Sequence, residues 1–344
     1  MKYLSYIQQY RKMVICTLVL VMTSAGAYAE NYNWKLQTFW GGGSAPQKVI
    51  ESFSDRMKEA SGGDINITVL PNKAIVAHNQ TLQAVGSGIL DMHKSTPCYY
   101  AGVEAAFGLL CEMNAGYSNA YQFITWYYKG GGMELARKVY AKHGLYFIGP
   151  VPWGVESLPT KEKITSVAGF KGVKIRMPEG PSSDLFRAIG AAPVSVHGSE
   201  VYTSLEKGVI AATDWSTISI NDAAGLHKVA PYAIYPGIHS IPMGDISMNL
   251  ELWNSLDTKT QTIIEMGVRS AALDMLQTFE KADADVLANA SKKGITIVNW
   301  SQEERSKFRT AAMDIWESTA AKSPLAKEVY DAQIEWLRAI GQIN

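Results

Sequence analysis

Several predicted β-strands end in aromatic or ionisable residues, and these are the positions at which the sequence could bind a small charged molecule. An arginine fork holds a carboxylate through two parallel charge-assisted hydrogen bonds. Aromatic rings around such an ion pair exclude water and strengthen its polar contacts. The residues concerned are Trp40, Tyr99, Tyr100, Trp153, Glu156, Arg176, Asp214 and Trp215. They provide for binding, and nothing in their spacing requires catalysis.

Arg176 lies in the stretch "GVKIRMPEG", where apolar residues alternate with Lys174 and Arg176. This alternation predicts a short strand with one buried face, and the polar residues of such a strand usually face solvent. In open parallel sheets, however, ligands bind in the crevice beyond the carboxyl ends of the strands. We therefore expect Arg176, at the end of its strand, to line a cleft, and Lys174 to face solvent.

Signatures of common catalytic and metal sites are missing from the sequence. The six histidines show neither H-x-x-x-H spacing nor pairing with cysteines, which argues against a structural zinc site. There is no G-x-S-x-G nucleophile elbow, and the triple glycine Gly41–Gly43 lacks the Lys-Ser/Thr ending of a phosphate loop. The alternatives to a binding protein are a secreted hydrolase that uses Glu156 and Asp214 as paired carboxylates, and an adhesive surface protein.

The first 29 residues have the pattern of a secretory signal peptide. Lys2, Arg11 and Lys12 precede an apolar run that is too short to span a bilayer, and a stretch of small residues ends at Ala29. Cleavage there would remove three of the 32 basic residues and leave 29 against 32 acidic residues. The slightly acidic mature chain argues against nucleic acid as a partner. We expect a periplasmic location.

Export would place the two remaining cysteines, Cys98 and Cys111, in an oxidising compartment. They could form a disulfide there, but spacing in the sequence does not establish the geometry that a disulfide needs. Their pairing therefore stays open at the level of the sequence.

The mature chain is predicted to open with a βαβ unit. The stretch "NWKLQTFW" is typical of a strand, and a glycine turn and an amphipathic helix with Pro46 near its start follow it. The stretch "DINITVLPN" then alternates as a second strand. Because the crossover connection of a βαβ unit joins parallel strands, these two strands are expected to pair in parallel.

Two similar layouts indicate two α/β lobes. The stretches "TLQAVGSGILDMHKST" and "YTSLEKGVIAATDWST" each combine a helix end, a glycine and a strand. Later in the chain, apolar residues at helical spacing run from about Thr258 to Lys292. At 1.5 Å per residue this helix is roughly 50 Å long, which exceeds one small lobe, so it could brace both lobes.

The segment "GFKGVKIRMPEGPSSDLFRAIGAAPVSVHGSEVYTSLEKGVIAATDW" resembles the solute-binding subunits of tripartite ATP-independent periplasmic (TRAP) transporters, the DctP-like family. The similar features are a strand that carries an arginine, a helix that ends in "GA-P", and then a glutamate, a helix, a glycine and a strand. The long helix and the signal peptide are similar as well. The resemblance therefore covers essentially the whole mature chain.

This resemblance implies an α/β, two-lobed periplasmic binding protein (Venus-flytrap) fold, with the long helix bracing both lobes. We expect residues 30–150 and about 240–285 to form lobe I, and residues 151–239 and about 286–344 to form lobe II. The resemblance also implies a protein that is not an enzyme. It would close around one small anionic solute by a hinge motion and deliver the solute to a separate membrane permease.

Two further stretches, "WYYKGGGMEL" and "GLHKVAPYAIYPG", are similar to the branch of this family that binds small 2-oxo and 2-hydroxy acids, often with a bound cation. The resemblance implies that Arg176 receives the ligand carboxylate and that Asp214 and Trp215 lie at the cation and the ligand. It places Tyr99 and Tyr100 beside the pocket. The expected ligand-binding set is completed by Trp40, Glu156 and His239.

The chain departs from this branch at two positions. Glu156 stands where the branch commonly has glutamine, and Ser240 lies where an acid tends to follow "YPG". The Glu156 carboxylate would repel an acidic ligand unless positive charge lies between them. A Ca²⁺ or Na⁺ ion held by Glu156 and Asp214 would supply that charge. So would a zwitterionic or sulfonate solute of the ectoine or taurine type, with its ammonium group at Glu156. The branch motifs favour the organic acid.

Overall fold

Two β-sheets organise the chain. The structure, a computed structural model, describes residues 31–178, 180–196 and 198–344. The predicted signal peptide, residues 1–29, lies outside the described residues. Within the described ranges, no helix is both long enough and apolar enough to cross a membrane.

The strands of the described residues are β1 (Tyr32–Thr38), β2 (Ile65–Leu70), β3 (Met92–Ser95), β4 (Leu145–Pro150), β5 (Glu156–Thr160), β6 (Lys174–Arg176), β7 (Ala192–Val194), β8 (Ala212–Thr213), β9 (Ser216–Thr217), β10 (Tyr232–Ile234), β11 (Asp245–Asn249) and β12 (Thr296–Val298). The helices are α1 (Ala45–Ala60), α2 (Thr81–Gly86), α3 (Ala105–Cys111), α4 (Ala120–Lys129), α5 (Gly132–Ala141), α6 (Pro181–Ala188), α7 (Val201–Glu206), α8 (Ile218–Ala223), α9 (Leu250–Ser255), α10 (Thr258–Ala288), α11 (Gln302–Ala320) and α12 (Pro324–Ala339).

The first sheet has the strand order β2-β1-β3-β11-β4. Strand β1 pairs in parallel with β2 and with β3, which confirms the predicted βαβ unit at the start of the mature chain. Strand β11 is antiparallel to both of its neighbours, β3 and β4. The chain therefore returns to its first sheet after it has built most of the second.

The second sheet has the strand order β12-β10-β5-β8-β6-β7, and β9 adds a short pairing to β5. Strand β6 is parallel to β7 and to β8, whereas β5 runs antiparallel to β8 and β10. As a result, the first residue of β5 and the last residues of β6 and β8 lie at the same edge of the sheet. This edge carries most of the ionisable residues discussed below.

The two similar layouts have similar structures. Helix α2 leads through Gly88 into β3, and helix α7 leads through Gly208 into β8. Both glycines have a positive φ, 76° and 72°, a conformation that side chains with a Cβ rarely adopt. Each glycine thus turns the chain sharply from a helix into a central strand of its sheet. The prediction of two lobes with related α/β layouts is confirmed.

Helix α10 contacts elements of both sheets. On the first lobe it packs against α1 and β4, and Gly267 lies so close to Met57 that an added Cβ would collide with that side chain. Near its other end, Asp283 accepts a hydrogen bond from the backbone N–H of Ser219 at the start of α8 (3.0 Å). The predicted bracing helix is therefore present. It ends at Ala288, before the predicted Lys292, and a short 3-10 turn at Ser291–Lys293 and then Gly294 (φ 71°) lead the chain into β12.

The hydrophobic core continues from one sheet to the other. A large cluster on one face of the first sheet includes Phe107 and Tyr140 and extends through Trp316 of α11 to Ile175 and Phe186. Helices α11 and α12 both pack against α3, and α11 also packs against α6. The C-terminal helices therefore join the lobes, and the expected lobe boundaries stay a prediction.

A disulfide joins Cys98 and Cys111. Cys98 lies in the turn that follows β3, and Cys111 is the last residue of α3. The bond closes a loop across a sequence separation of 13 residues. The open question of their pairing is settled in favour of a disulfide.

We expect the Cys98→Ser/Cys111→Ser double variant to lose about 2–3 kcal/mol of unfolding free energy, because closing a loop of this length restricts the unfolded chain. Urea unfolding of both proteins, with and without a reducing agent, measures the effect. The reductant should destabilise the wild type and leave the variant unchanged. Equal stability of the oxidised wild type and the variant would contradict the prediction.

Candidate binding site

Three side chains that could hold a metal ion meet at the shared edge of the second sheet. Glu156 begins β5, Asp214 directly follows β8, and His239 lies in the loop after β10. One ligand atom from each lies within 4.8 Å of the others. The backbone N–H of Glu156 donates to the Ser240 carbonyl (3.1 Å), which fixes the loop of His239 against β5.

The distances within this group, the Glu156–Asp214–His239 cluster, show which pairs interact directly. His239 Nε2 lies 3.1 Å from Asp214 Oδ1 and 3.9 Å from Glu156 Oε2. The Trp153 indole donates its Nε1–H to Glu156 Oε1 at 3.2 Å. All three cluster residues are buried, and His239 Nδ1 has no hydrogen-bond partner among the described residues.

Glu156 and Asp214 are both buried, but their neighbours give the two carboxyl groups different pKa values. Burial and, after it, the neighbouring charge of Asp214 raise the pKa of Glu156 to about 7, although the charge of His239 opposes the shift. Burial also favours the neutral form of Asp214. The hydrogen bond and charge of His239, together with the charge of Arg176, outweigh this effect and lower the pKa of Asp214. Asp214 is therefore ionised at neutral pH, and Glu156 is readily ionised or protonated.

Arg176 lies at the carboxyl end of β6, as the strand pattern predicts. The neighbouring Ile175 and Met177 are buried, and Lys174 is exposed. Arg176 Nη1 donates to the backbone oxygen of Asp214 at 2.6 Å, and its guanidinium lies 5.3 Å from the ring centroid of Trp215. Arg176 Nε is buried without a partner among the described residues. The guanidinium is thus held in place while retaining unused donors.

Aromatic residues that follow strands β1 and β3 of the first sheet lie near Arg176 and the Glu156–Asp214–His239 cluster. Trp40 packs edge-on against Trp153, with ring centroids 5.8 Å apart, and its indole N–H is buried without a described partner. Tyr99 stacks edge-on against Phe39 at 5.9 Å, and the charges of Glu156 and Arg176 both act on its hydroxyl group. These contacts connect Trp40 and Tyr99 to the edge at which the ionisable residues lie.

Tyr100 takes a different position from its neighbour. It is 0% exposed, whereas Tyr99 is 39% exposed. The Tyr100 hydroxyl group bonds to the hydroxyl groups of Thr81 (2.7 Å) and Ser95 (2.6 Å) inside the first lobe. The structure therefore brings Tyr99 towards the cluster and does not bring Tyr100 to it.

Glu112 also belongs to this region, and sequence reasoning missed it. Its pKa is raised well above the usual value, first by desolvation and then by the charges of Glu156 and Asp214. Asn114 donates a hydrogen bond to its carboxyl group. In the sequence, burial of Glu112 is indicated by its position between the apolar residues Cys111 and Met113, both of which are buried.

The donor set suits a hard cation. The charge of Asp214 raises the pKa of Glu156, and a cation between the two carboxylates would stabilise both of them as anions. Ca²⁺ and Na⁺ prefer such oxygen ligands. Glu156 and Asp214 would hold such an ion. His239, whose Nε2 faces Asp214, would orient that carboxylate.

The raised pKa of Glu156 predicts a pH-dependent stability. Between about pH 4.5 and 7 the folded protein keeps a proton that the unfolded chain has released, so the free energy of unfolding falls as pH rises through this window. Glu156→Gln removes the cost of ionising a buried carboxyl group. In EDTA and without solute, we expect the variant to exceed the wild type by roughly 1–3 kcal/mol above pH 7 and to match it below pH 4.5.

Urea unfolding at acidic and at mildly alkaline pH measures this difference. The exposed Glu335 provides the control variant Glu335→Gln, which should follow the wild type at both pH values. A gain for Glu156→Gln that is independent of pH would show that the ionisation of Glu156 is not its source.

Comparison with known proteins agrees with this architecture. The family described as bacterial extracellular solute-binding protein, family 7 (DctP), matches residues 37–323. The monocarboxylate 2-oxoacid-binding periplasmic protein of Nostoc sp. is 28% identical over 321 residues, which are 93% of this chain and 87% of that protein.

Two solved structures share the fold and confirm the two-lobed binding protein architecture. A TRAP periplasmic solute binding protein from Rhodobacter sphaeroides, in an apo open structure, is 35% identical with a TM-score of 0.81, and the match covers 90% of this chain and 99% of that one. Another from Colwellia psychrerythraea, with bound calcium and pyruvate, is 26% identical with a TM-score of 0.78 and coverages of 90% and 95%. This chain belongs to family 7 of the bacterial extracellular solute-binding proteins, the DctP family.

Proposed function

We propose that this protein is the solute-binding subunit of a TRAP transporter that captures a small 2-oxo or 2-hydroxy carboxylate together with a metal cation. The observation that carries the proposal is the position of Arg176, with unused donors, beside the buried Glu156–Asp214–His239 cluster. The 2-oxoacid-binding protein of Nostoc sp. and the calcium- and pyruvate-bound protein of Colwellia psychrerythraea support this choice of solute and cation.

Arg176 is the group that would hold the solute carboxylate. Its hydrogen bond to the Asp214 carbonyl and its contact with the ring of Trp215 together fix the direction of the guanidinium plane. A guanidinium that is already oriented loses less conformational freedom when it forms two parallel bonds to a carboxylate. Trp40 and Tyr99 would cover the bound acid from the first lobe and keep water from this ion pair.

The cation would lie between Glu156 and Asp214. It would replace the proton that Glu156 tends to keep at neutral pH, and it would offset the repulsion between these carboxylates and the acidic solute. A 2-oxo or 2-hydroxy acid also offers a second oxygen beside its carboxylate, which could complete the oxygen ligands of the ion. One cation would thereby connect the protein carboxylates to the solute.

The family consists of solute-binding proteins, and the hydrolase hypothesis for Glu156 and Asp214 loses its support. The extracellular description of the family supports a periplasmic location, with residues 1–29 as the proposed export signal. Delivery would be to the membrane permease of the transporter. The two lobes, with the proposed boundaries, would close over the solute about segments such as that between β4 and β5.

Removal of metal ions should abolish tight binding of pyruvate. We expect protein that has been treated with EDTA and dialysed into sodium-free buffer to bind pyruvate at least about 10-fold more weakly by isothermal titration calorimetry, because the uncompensated carboxylates then repel the acid. Calcium or sodium added singly should restore affinity and identify the ion, and Asp214→Asn should prevent the restoration. Pyruvate affinity that is independent of added ions would contradict the cation, and EDTA-resistant binding of taurine or ectoine would favour the zwitterion.

Arg176→Lys should weaken pyruvate binding about 10- to 100-fold, because lysine cannot form the two parallel bonds. The unfolding free energy of the ligand-free protein should change little. Arg187→Lys makes the same chemical change at an exposed ion pair of α6 and serves as the control, with unchanged affinity. Wild-type affinity in Arg176→Lys would remove this arginine from the site.

A further inference from the structure

Lys94 is a buried cation that has no role in the proposed binding of the solute and its metal ion. It lies in β3 of the first sheet and is 1% exposed. Its ammonium group donates a hydrogen bond to the carbonyl of the neighbouring Ser95 at 3.2 Å. The ammonium occupies space that exists because residue 244 is glycine, since a Cβ on Gly244 would collide with Lys94 Nζ.

Two aromatic rings face the Lys94 ammonium. Nζ lies 4.9 Å from the ring centroid of Phe39 and 5.6 Å from that of Trp153. Cation–π contacts of this kind gain strength when water is excluded, but burial of an ammonium group remains costly. Burial lowers the pKa of Lys94 to about 7, although the charge of Asp245 opposes the shift. Lys94 therefore weakens the fold near neutral pH, where an apolar residue of similar length would not.

Trp153 connects this ammonium to the binding site. The indole that faces Lys94 with its ring also donates its Nε1–H to Glu156 Oε1 at 3.2 Å. A cation over the ring draws electron density from the indole and makes its N–H a stronger donor, so the two contacts strengthen each other. Trp153 lies in the segment between β4 and β5, which joins the two sheets. The three residues thus form a continuous contact from the first sheet to the Glu156–Asp214–His239 cluster.

We propose that Lys94 is a positioning residue of the solute site, which acts through the Trp153 indole to hold the Glu156 carboxylate in the orientation that binds the cation and its solute. The proposal deepens the proposed function and rests on it for the identity of the probes. Lys94 does not need to touch the solute. Its contribution to affinity would offset the stability that its burial costs.

The test is the variant Lys94→Met, which keeps an unbranched side chain that is one heavy atom shorter and removes the charge. We expect a higher midpoint of thermal unfolding for the ligand-free protein near neutral pH, together with about 10-fold weaker binding of calcium alone and of pyruvate in the presence of calcium. A side chain with a merely structural role would change stability and affinity in the same direction. Lys35→Met, at an exposed position on the same sheet, serves as the control and should change neither.

A double-mutant cycle with Trp153→Phe tests the path through the indole. If Lys94 acts through Trp153, the double variant should bind no more weakly than Trp153→Phe alone, so the losses are not additive. Wild-type affinity for calcium and pyruvate in Lys94→Met would overturn the proposal, and so would fully additive losses. Failure of the proposed function would differ, because the wild type itself would then not bind pyruvate, and the calcium titrations would still decide the role of Lys94.

Discussion

Desolvation of charged side chains is the constraint on which the binding region depends. Glu156, Asp214 and His239 lie together where little water reaches them, and the charges of Asp214 and His239 act in opposite directions on the pKa of Glu156. In such surroundings an ion is stable only beside a partner of opposite sign or within several hydrogen bonds. The precise placement of Arg176 and Trp153 follows from this requirement, since each supplies hydrogen-bond donors to the acidic groups or their backbone. A bound cation would satisfy the same requirement more completely.

The directions of the strands bring Glu156, Arg176 and Asp214 to the same edge of the second sheet. Arg176 and Asp214 come at the ends of parallel strands, whereas Glu156 comes at the beginning of an antiparallel one. Because β5 runs antiparallel to β8, its first residue lies at the same edge of the sheet as the last residues of β6 and β8. The same strand follows directly after the crossing from the first sheet. Glu156 is therefore both a member of the Glu156–Asp214–His239 cluster and the first residue, in chain order, of the second sheet.

Much of this arrangement was predictable from the sequence because it follows from periodicity and from positions at strand ends. The βαβ opening, the bracing helix and the position of Arg176 at the end of its strand each come from a local pattern that tertiary contacts did not override. Tyr99 and Tyr100 show the limit, because both occupy one tight turn in which consecutive side chains point in different directions. Glu112 and Lys94 were missed for another reason. An ionisable residue in a short segment gives no sign of its burial until the packing of distant elements is known.

The disulfide between Cys98 and Cys111 restrains the residues that follow the two cysteines in the sequence. Tyr99 follows one cysteine and Glu112 follows the other, so a single covalent bond limits the movement of an aromatic and an acidic residue relative to each other. Side chains whose backbones are already restrained have less freedom left to lose when a solute orders them. The oxidised state of this pair would thus contribute to preorganisation of the first lobe's side of the pocket. Solute affinity would then depend in part on whether Cys98 and Cys111 are joined or reduced.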